Sequence, residues 1–99
     1  MINSEIINKV LNKSITKDLI FDAIDDISSV KPNTLTYCNS EKYLNQALNN
    51  PYVTGIICRK EFSLFIETNK VIIESENPGY DFTLFVISAP SSLQPAIPP

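Results

Sequence analysis

Thr34-Leu35-Thr36-Tyr37, then Asn39-Ser40, then Tyr43-Leu44 and Ala47-Leu48, and finally Val53-Thr54-Gly55-Ile56-Ile57-Cys58 form the stretch that decides the fold. The first four residues alternate polar and apolar side chains, with threonines branched at Cβ, as a strand requires. Asn39-Ser40 offers oxygen caps for a following helix, and Tyr43, Leu44, Ala47 and Leu48 recur at the spacing of one helical face. Asn49-Asn50-Pro51 then stops that helix. Val53 to Cys58 is nearly all apolar, which predicts a strand buried on both faces.

The same alternation continues downstream. Phe62, Phe65 and Ile66 after Arg59-Lys60 predict a short helix, and Val71-Ile72-Ile73 another buried strand. Asn77-Pro78 pairs a capping residue with proline at the first helical position, and the helix it opens would turn Phe82, Phe85 and Val86 inward. Strand and helix alternate from Thr34 onward, which implies parallel strands joined by right-handed crossovers. The predicted fold is therefore α/β: a small layered domain of short, largely parallel strands alternating with helices. Upstream, Ile6, Ile7, Val10 and Leu11 define a helix from about Ser4 to Asn12, with Ser4 as its cap and Glu5 at the positive end of the dipole. The stretch from Asp18 to Ile27 is less regular. Leu19-Ile20-Phe21 has the look of a strand, whereas Asp22, Asp25 and Asp26 draw the chain toward solvent. Lys31-Pro32-Asn33 is a turn.

The chain has 99 residues, of which 43% are hydrophobic and 19% charged, enough for one self-sufficient core. Residues 1–88 are expected to form that domain. Residues 89–99 are uncharged and hold four of the seven prolines, a composition expected of a linker toward a further domain. The alternative is the terminus of a complete small protein.

A net charge of −3 and the lack of any lysine or arginine run argue against nucleic acid as a partner. Histidine is absent, and with it the commonest general base near neutral pH and the usual activator of a serine or cysteine nucleophile. Cys38 and Cys58 are too few and too far apart for a zinc site, and both adjoin apolar stretches, so they are expected as buried free thiols, with a disulfide the alternative. The three aspartates lack the glycine and distal glutamate of a calcium loop and are read as a solvated turn. No metal and no cofactor is expected. The apolar runs are far shorter than the ~20 residues of a membrane span. The N-terminus lacks the basic and apolar regions of a signal peptide, so a cytoplasmic location is expected.

The segment Leu35-Thr36-Tyr37-Cys38-Asn39-Ser40-Glu41-Lys42-Tyr43 resembles the N-terminal domain of UDP-3-O-acylglucosamine N-acyltransferases. That family has an aromatic at a strand end, an asparagine, and Lys-Tyr opening a helix. The resemblance continues through Thr54–Cys58 and Val71–Glu74 to Asn77-Pro78, covering about Asp18 to Ser88. It implies that Tyr37 and Tyr43 hold the uracil ring of a UDP-linked acylglucosamine. One ring would leave the strand end and the other would rise from the first helical turn, forming a slot for a flat base. Base–aromatic stacking contributes ~1–3 kcal/mol. The family's asparagine stands three residues after the aromatic, where this sequence has Ser40, with Asn39 one position earlier. The polar contact to the base falls to one of the two, with Lys42 a weaker candidate for a phosphate. A Tyr at a strand end and another on an apolar helix face also serve simply as packing residues.

The resemblance further implies a substrate-recognition module for an enzyme of lipid A biosynthesis that takes a hydroxyacyl group from acyl carrier protein. The catalytic histidine and the trimer contacts would reside in a left-handed hexapeptide-repeat domain after the linker. The chain by itself would then be non-catalytic, and a monomer or at most a weak dimer. Mur ligase N-terminal domains are similar in architecture, but their Gly-rich segment is absent. Two other readings stand beside this one: a UDP-sugar-binding domain of another hexapeptide-repeat acyltransferase, and a small α/β interaction or assembly domain without a ligand.

Overall fold

The computed structural model describes residues 2–64 and 66–88. The elements run β1 (Ile2–Asn3), α1 (Ser4–Leu11), β2 (Ile20–Phe21), β3 (Ala23–Ile24), β4 (Thr34–Tyr37) and α2 (Glu41–Leu48), then β5 (Val53–Cys58), α3 (Lys60–Ser63), β6 (Val71–Glu74) and α4 (Pro78–Ser88). Strands β3-β4-β5-β6 form one sheet in that spatial order, and every pairing in it is parallel. The short β1 and β2 pair antiparallel, Ile2 with Phe21 and Asn3 with Ile20. The α/β layering expected of the sequence is what the chain adopts.

The period of two along each strand sorts the side chains into two cores. Leu35, Ile57 and Ile73 join Ile7 of α1 and Phe82 and Phe85 of α4 on one face. Ile56 and Cys58 join Leu44 and Ala47 of α2 on the other, with Phe62 and Ile72 packed against them. Helices on both faces explain why β5 is buried almost along its whole length. Strand β6 is an edge strand, and only Ile73 of its three apolar residues is fully buried. The expectation of a second fully buried strand is corrected accordingly.

One local reading also changes. Helix α1 is capped by Asn3, whose Oδ1 accepts the Ile6 amide at 3.0 Å, and not by Ser4. The Ser4 hydroxyl instead ties the helix to the chain returning toward the sheet, donating to the Lys17 carbonyl and accepting the Leu19 amide, both at 2.6 Å. The strand expected at Leu19-Ile20-Phe21 is present as β2, and a further short strand, β3, follows Asp22 where the chain leaves β1 to join β4. Asn33, just before β4, ties down the chain between β2 and β3. It takes the left-handed conformation (φ 57°) that asparagine tolerates in turns, and its amide donates to the Ile20 carbonyl at 2.9 Å and the Asp22 carboxylate at 3.0 Å. Phe65 of the expected third helix lies outside the described residues, as does the linker expected over residues 89–99.

Candidate functional site

In an open parallel sheet the strands end together at one edge, and the helices that follow them begin there, leaving crevices suited to ligands. Here β4 ends at Tyr37 and hands on to Cys38, Asn39 and the cap of α2. A cavity of about 250 Å³ opens at this point, lined by Asp26, Ile27, Tyr37, Cys38, Asn39 and Tyr43. Three of the five residues singled out in the sequence therefore share one cavity.

Each wall has a structural cause. Tyr37 is held by Phe82 of α4, the ring centroids 4.7 Å apart and the planes tilted by 36°. Gly79 allows α4 to begin close beside it: a Cβ there would lie 3.3 Å from Asn39 Nδ2 and 3.6 Å from Tyr37 Cε2. Tyr43 stands on the first turn of α2 and is 48% exposed, although it continues the apolar face of Leu44 and Ala47. It is outside both core clusters, so its ring is not consumed by packing. Tyr37 has a mixed status, packed on one side and lining the cavity with another part.

The polar candidates separate. The Ser40 hydroxyl accepts the Tyr43 amide at 3.4 Å as the N-cap of α2, and Ser40 does not line the cavity. Asn39 does line it, and its side-chain amide makes no hydrogen bond among the described residues. Lys42 is outside the cavity, and its Nζ lies 5.9 Å from the centre of the Tyr43 ring, within cation–π range.

Three lining residues were not legible as such in the sequence. Ile27 and Asp26 come from the β3–β4 connection, which only tertiary structure brings against α2. Asp26 also braces its own loop, accepting the Ser28 amide at 2.9 Å and the Ser28 hydroxyl at 2.6 Å. Cys38 lies next to Cys58 because Tyr37 pairs with Ile57, and both thiols are free and buried. Burial pushes the Cys38 thiol up to about 12, with Cys58 adding to the effect. Burial pushes Cys58 up to about 11, with Glu74 adding to it. Neither is a thiolate near neutral pH, so neither is a nucleophile.

A larger groove of about 1000 Å³ lies at the ends of β5 and β6 and the start of α4. Its lining mixes Lys13, Arg59 and Lys60 with Glu61, Glu74, Glu76 and Asp81, and so has no one-sided charge; no aromatic ring is among the described residues that line it. Among the described residues no group of acidic or cysteine side chains is placed to hold a metal ion, and no helix is long and apolar enough to cross a membrane. Comparison with known proteins finds no matching family model, no matching curated protein and no matching solved structure.

Proposed function

We propose that the chain is a nucleotide-sugar recognition module that seats a uracil ring between Tyr37 and Tyr43. The observation that carries the proposal is the single cavity lined by Tyr37, Asn39 and Tyr43 at the carboxyl edge of the sheet. Its volume of about 250 Å³ is below the ~300–1,000 Å³ of pockets that enclose a whole drug-sized ligand. It suits one planar ring, with the ribose and diphosphate left outside. Stacking needs no charge, which fits a chain of net charge −3. The imide edge of uracil offers one N–H donor between two carbonyl acceptors. An asparagine amide, with one carbonyl and one NH₂, complements two of these at once. Asn39 therefore takes the polar role in this reading, Ser40 stays with the helix cap, and Lys42 supports the Tyr43 ring.

The ligand is proposed as a UDP-linked acylglucosamine, and the parent activity as N-acyl transfer from acyl carrier protein in lipid A biosynthesis. That part rests on the resemblance of Leu35–Tyr43 and Asn77-Pro78 to the acyltransferase family. No residue of this chain is assigned to the acyl transfer itself, since it has no histidine and its thiols are buried.

Calorimetric titration with UDP, ADP and inorganic pyrophosphate tests the base requirement. UDP should bind, pyrophosphate should not, and Tyr43→Ala should weaken UDP about 5- to 150-fold, the equivalent of ~1–3 kcal/mol of stacking. Tyr43→Phe keeps the ring and should retain most of the affinity. Equal binding of UDP and pyrophosphate would show that the phosphates, and not the base, are recognised.

A further inference from the structure

On the opposite side of the sheet from α1 and α4, helices α2 and α3 leave a groove of about 560 Å³ between them. Its floor is Leu44, Leu48, Phe62 and Ile66, and its rim carries Glu41, Glu61 and Glu67. Leu48, Phe62 and Ile66 pack against the second core yet stay only half-buried, so that core reaches the surface here. The lining includes no lysine or arginine. Glu61 has Arg59 at 3.5 Å, an exposed and weakly coupled pair, while Glu41 and Glu67 have no ion-pair partner among the described residues. The groove shares no residue with the Tyr37–Tyr43 cavity.

We infer that this groove docks a cationic amphipathic helix from a partner protein. An apolar trough walled by two helices accepts the apolar stripe of a third, in the helix-in-groove mode. Strand addition does not apply, because no strand residue is among the described residues that line the trough. The rim sets the sign of the partner. Carboxylates on both sides complement lysine or arginine flanking the stripe, and they repel an acidic helix. The chain's net charge of −3 adds long-range attraction for such a segment.

The test uses the whole chain and three 14-residue peptides with one leucine pattern (i, i+4, i+7, i+11), flanked throughout by Lys, by Gln or by Glu. Fluorescence anisotropy should rank them Lys, Gln, Glu. Amide and methyl NMR shifts induced by the Lys peptide should centre on Leu44, Leu48, Phe62 and Ile66. Binding should weaken with added salt. Glu41→Gln with Glu67→Gln, both surface changes, should reduce affinity for the Lys peptide roughly 2- to 20-fold and flatten the salt dependence. The inference is overturned if the Lys peptide fails to bind at millimolar concentration, or if Lys and Gln peptides bind equally. Shifts spread over the whole acidic surface, or full competition by spermine, would overturn it as well, by showing charge attraction without a groove.

Discussion

Replacing Gly55 by alanine tests the packing of the main core at its tightest point. Gly55 lies in the middle of β5, paired with Leu35 on one side and Val71 on the other. A Cβ there would fall 2.4 Å from Phe21 Cε1, 2.5 Å from Phe21 Cζ and 3.0 Å from Leu35 Cδ1. Carbon atoms at van der Waals contact stand about 3.5–4.0 Å apart, so the ring must move by roughly 1 Å or more. Phe21 is 2% exposed and belongs to the same buried cluster as Ile2, Ile7 and Ile24, all fully buried, which leaves little room to yield. Overpacking of this kind costs ~1–3 kcal/mol, and the lower unfolded-state entropy of alanine returns ~0.4–1 kcal/mol. The net loss should be about 1–2 kcal/mol, or a fall in Tm of roughly 4–16 °C for a domain of this size. Urea unfolding of Gly55→Ala, Phe21→Leu and the double variant supplies the assay. Leucine lacks the outer ring atoms that collide, so the double variant should be more stable than the sum of the single losses predicts, by at least ~0.5 kcal/mol. A Gly55→Ala protein as stable as the parent, or strict additivity in the cycle, would show that the Phe21 ring does not obstruct a Cβ at this position.

Three further outcomes follow from the same structure. Thr36 is fully buried and its hydroxyl has no partner among the described residues, so Thr36→Val should stabilise by ~1 kcal/mol, whereas Thr34→Val should destabilise because Thr34 Oγ1 bonds Ser29 Oγ and the Lys31 carbonyl; chemical denaturation of the two variants compares them. Ser40→Ala should lower stability by ~0.5–2 kcal/mol and leave UDP affinity unchanged once folding is corrected for, whereas Asn39→Ala should lower affinity and spare stability. The Cys38 and Cys58 thiols are held above their ordinary value of 9.0 when folded, so the native chain keeps protons that the unfolded chain loses. The contribution of the two thiols to stability should therefore be constant below pH ~9 and fall above it by roughly 1 kcal/mol per pH unit for each thiol, and a thiol reagent at pH 8 should label both cysteines rapidly only after unfolding.

The alternation that fixes the sheet was legible because local signals agreed with one another. Ser40 and Asn77 sit where oxygen caps belong, and Val53–Cys58 carries an apolar run that only a strand covered on both faces can bury. What stayed hidden depends on partners distant in sequence. Two-residue strands such as β1 and β3 have no pattern of their own; β1 is defined by its pairing with β2, and β3 by its pairing with β4, beside which Asn33 bonds Asp22. In the candidate site, the six-residue spacing from Tyr37 to Tyr43 placed both rings on one cavity, since a strand end and the following helical turn are close by construction. The opposing wall from Asp26 and Ile27 arrives by a tertiary contact that carries no sequence signal. Ser4 shows the same limit at smaller scale: its hydroxyl was available as a cap, but Asn3 took that role and Ser4 bonded Lys17 and Leu19.

Whether Tyr37 and Tyr43 face a bound base is read from the ring NMR spectrum of the chain labelled in tyrosine during a UDP titration. The chain has four tyrosines, and Tyr52 and Tyr80, 43% and 60% exposed, lie outside the cavity and serve as internal references. A base stacked in the slot should move the ring signals of Tyr37 and Tyr43 through its ring current, with cross-peaks from Tyr43 ring protons to uracil H5 and H6, and should leave Tyr52 and Tyr80 in place. Saturating UDP that shifts Tyr52 or Tyr80 instead, or that leaves all four rings unmoved, would show that no base binds between Tyr37 and Tyr43.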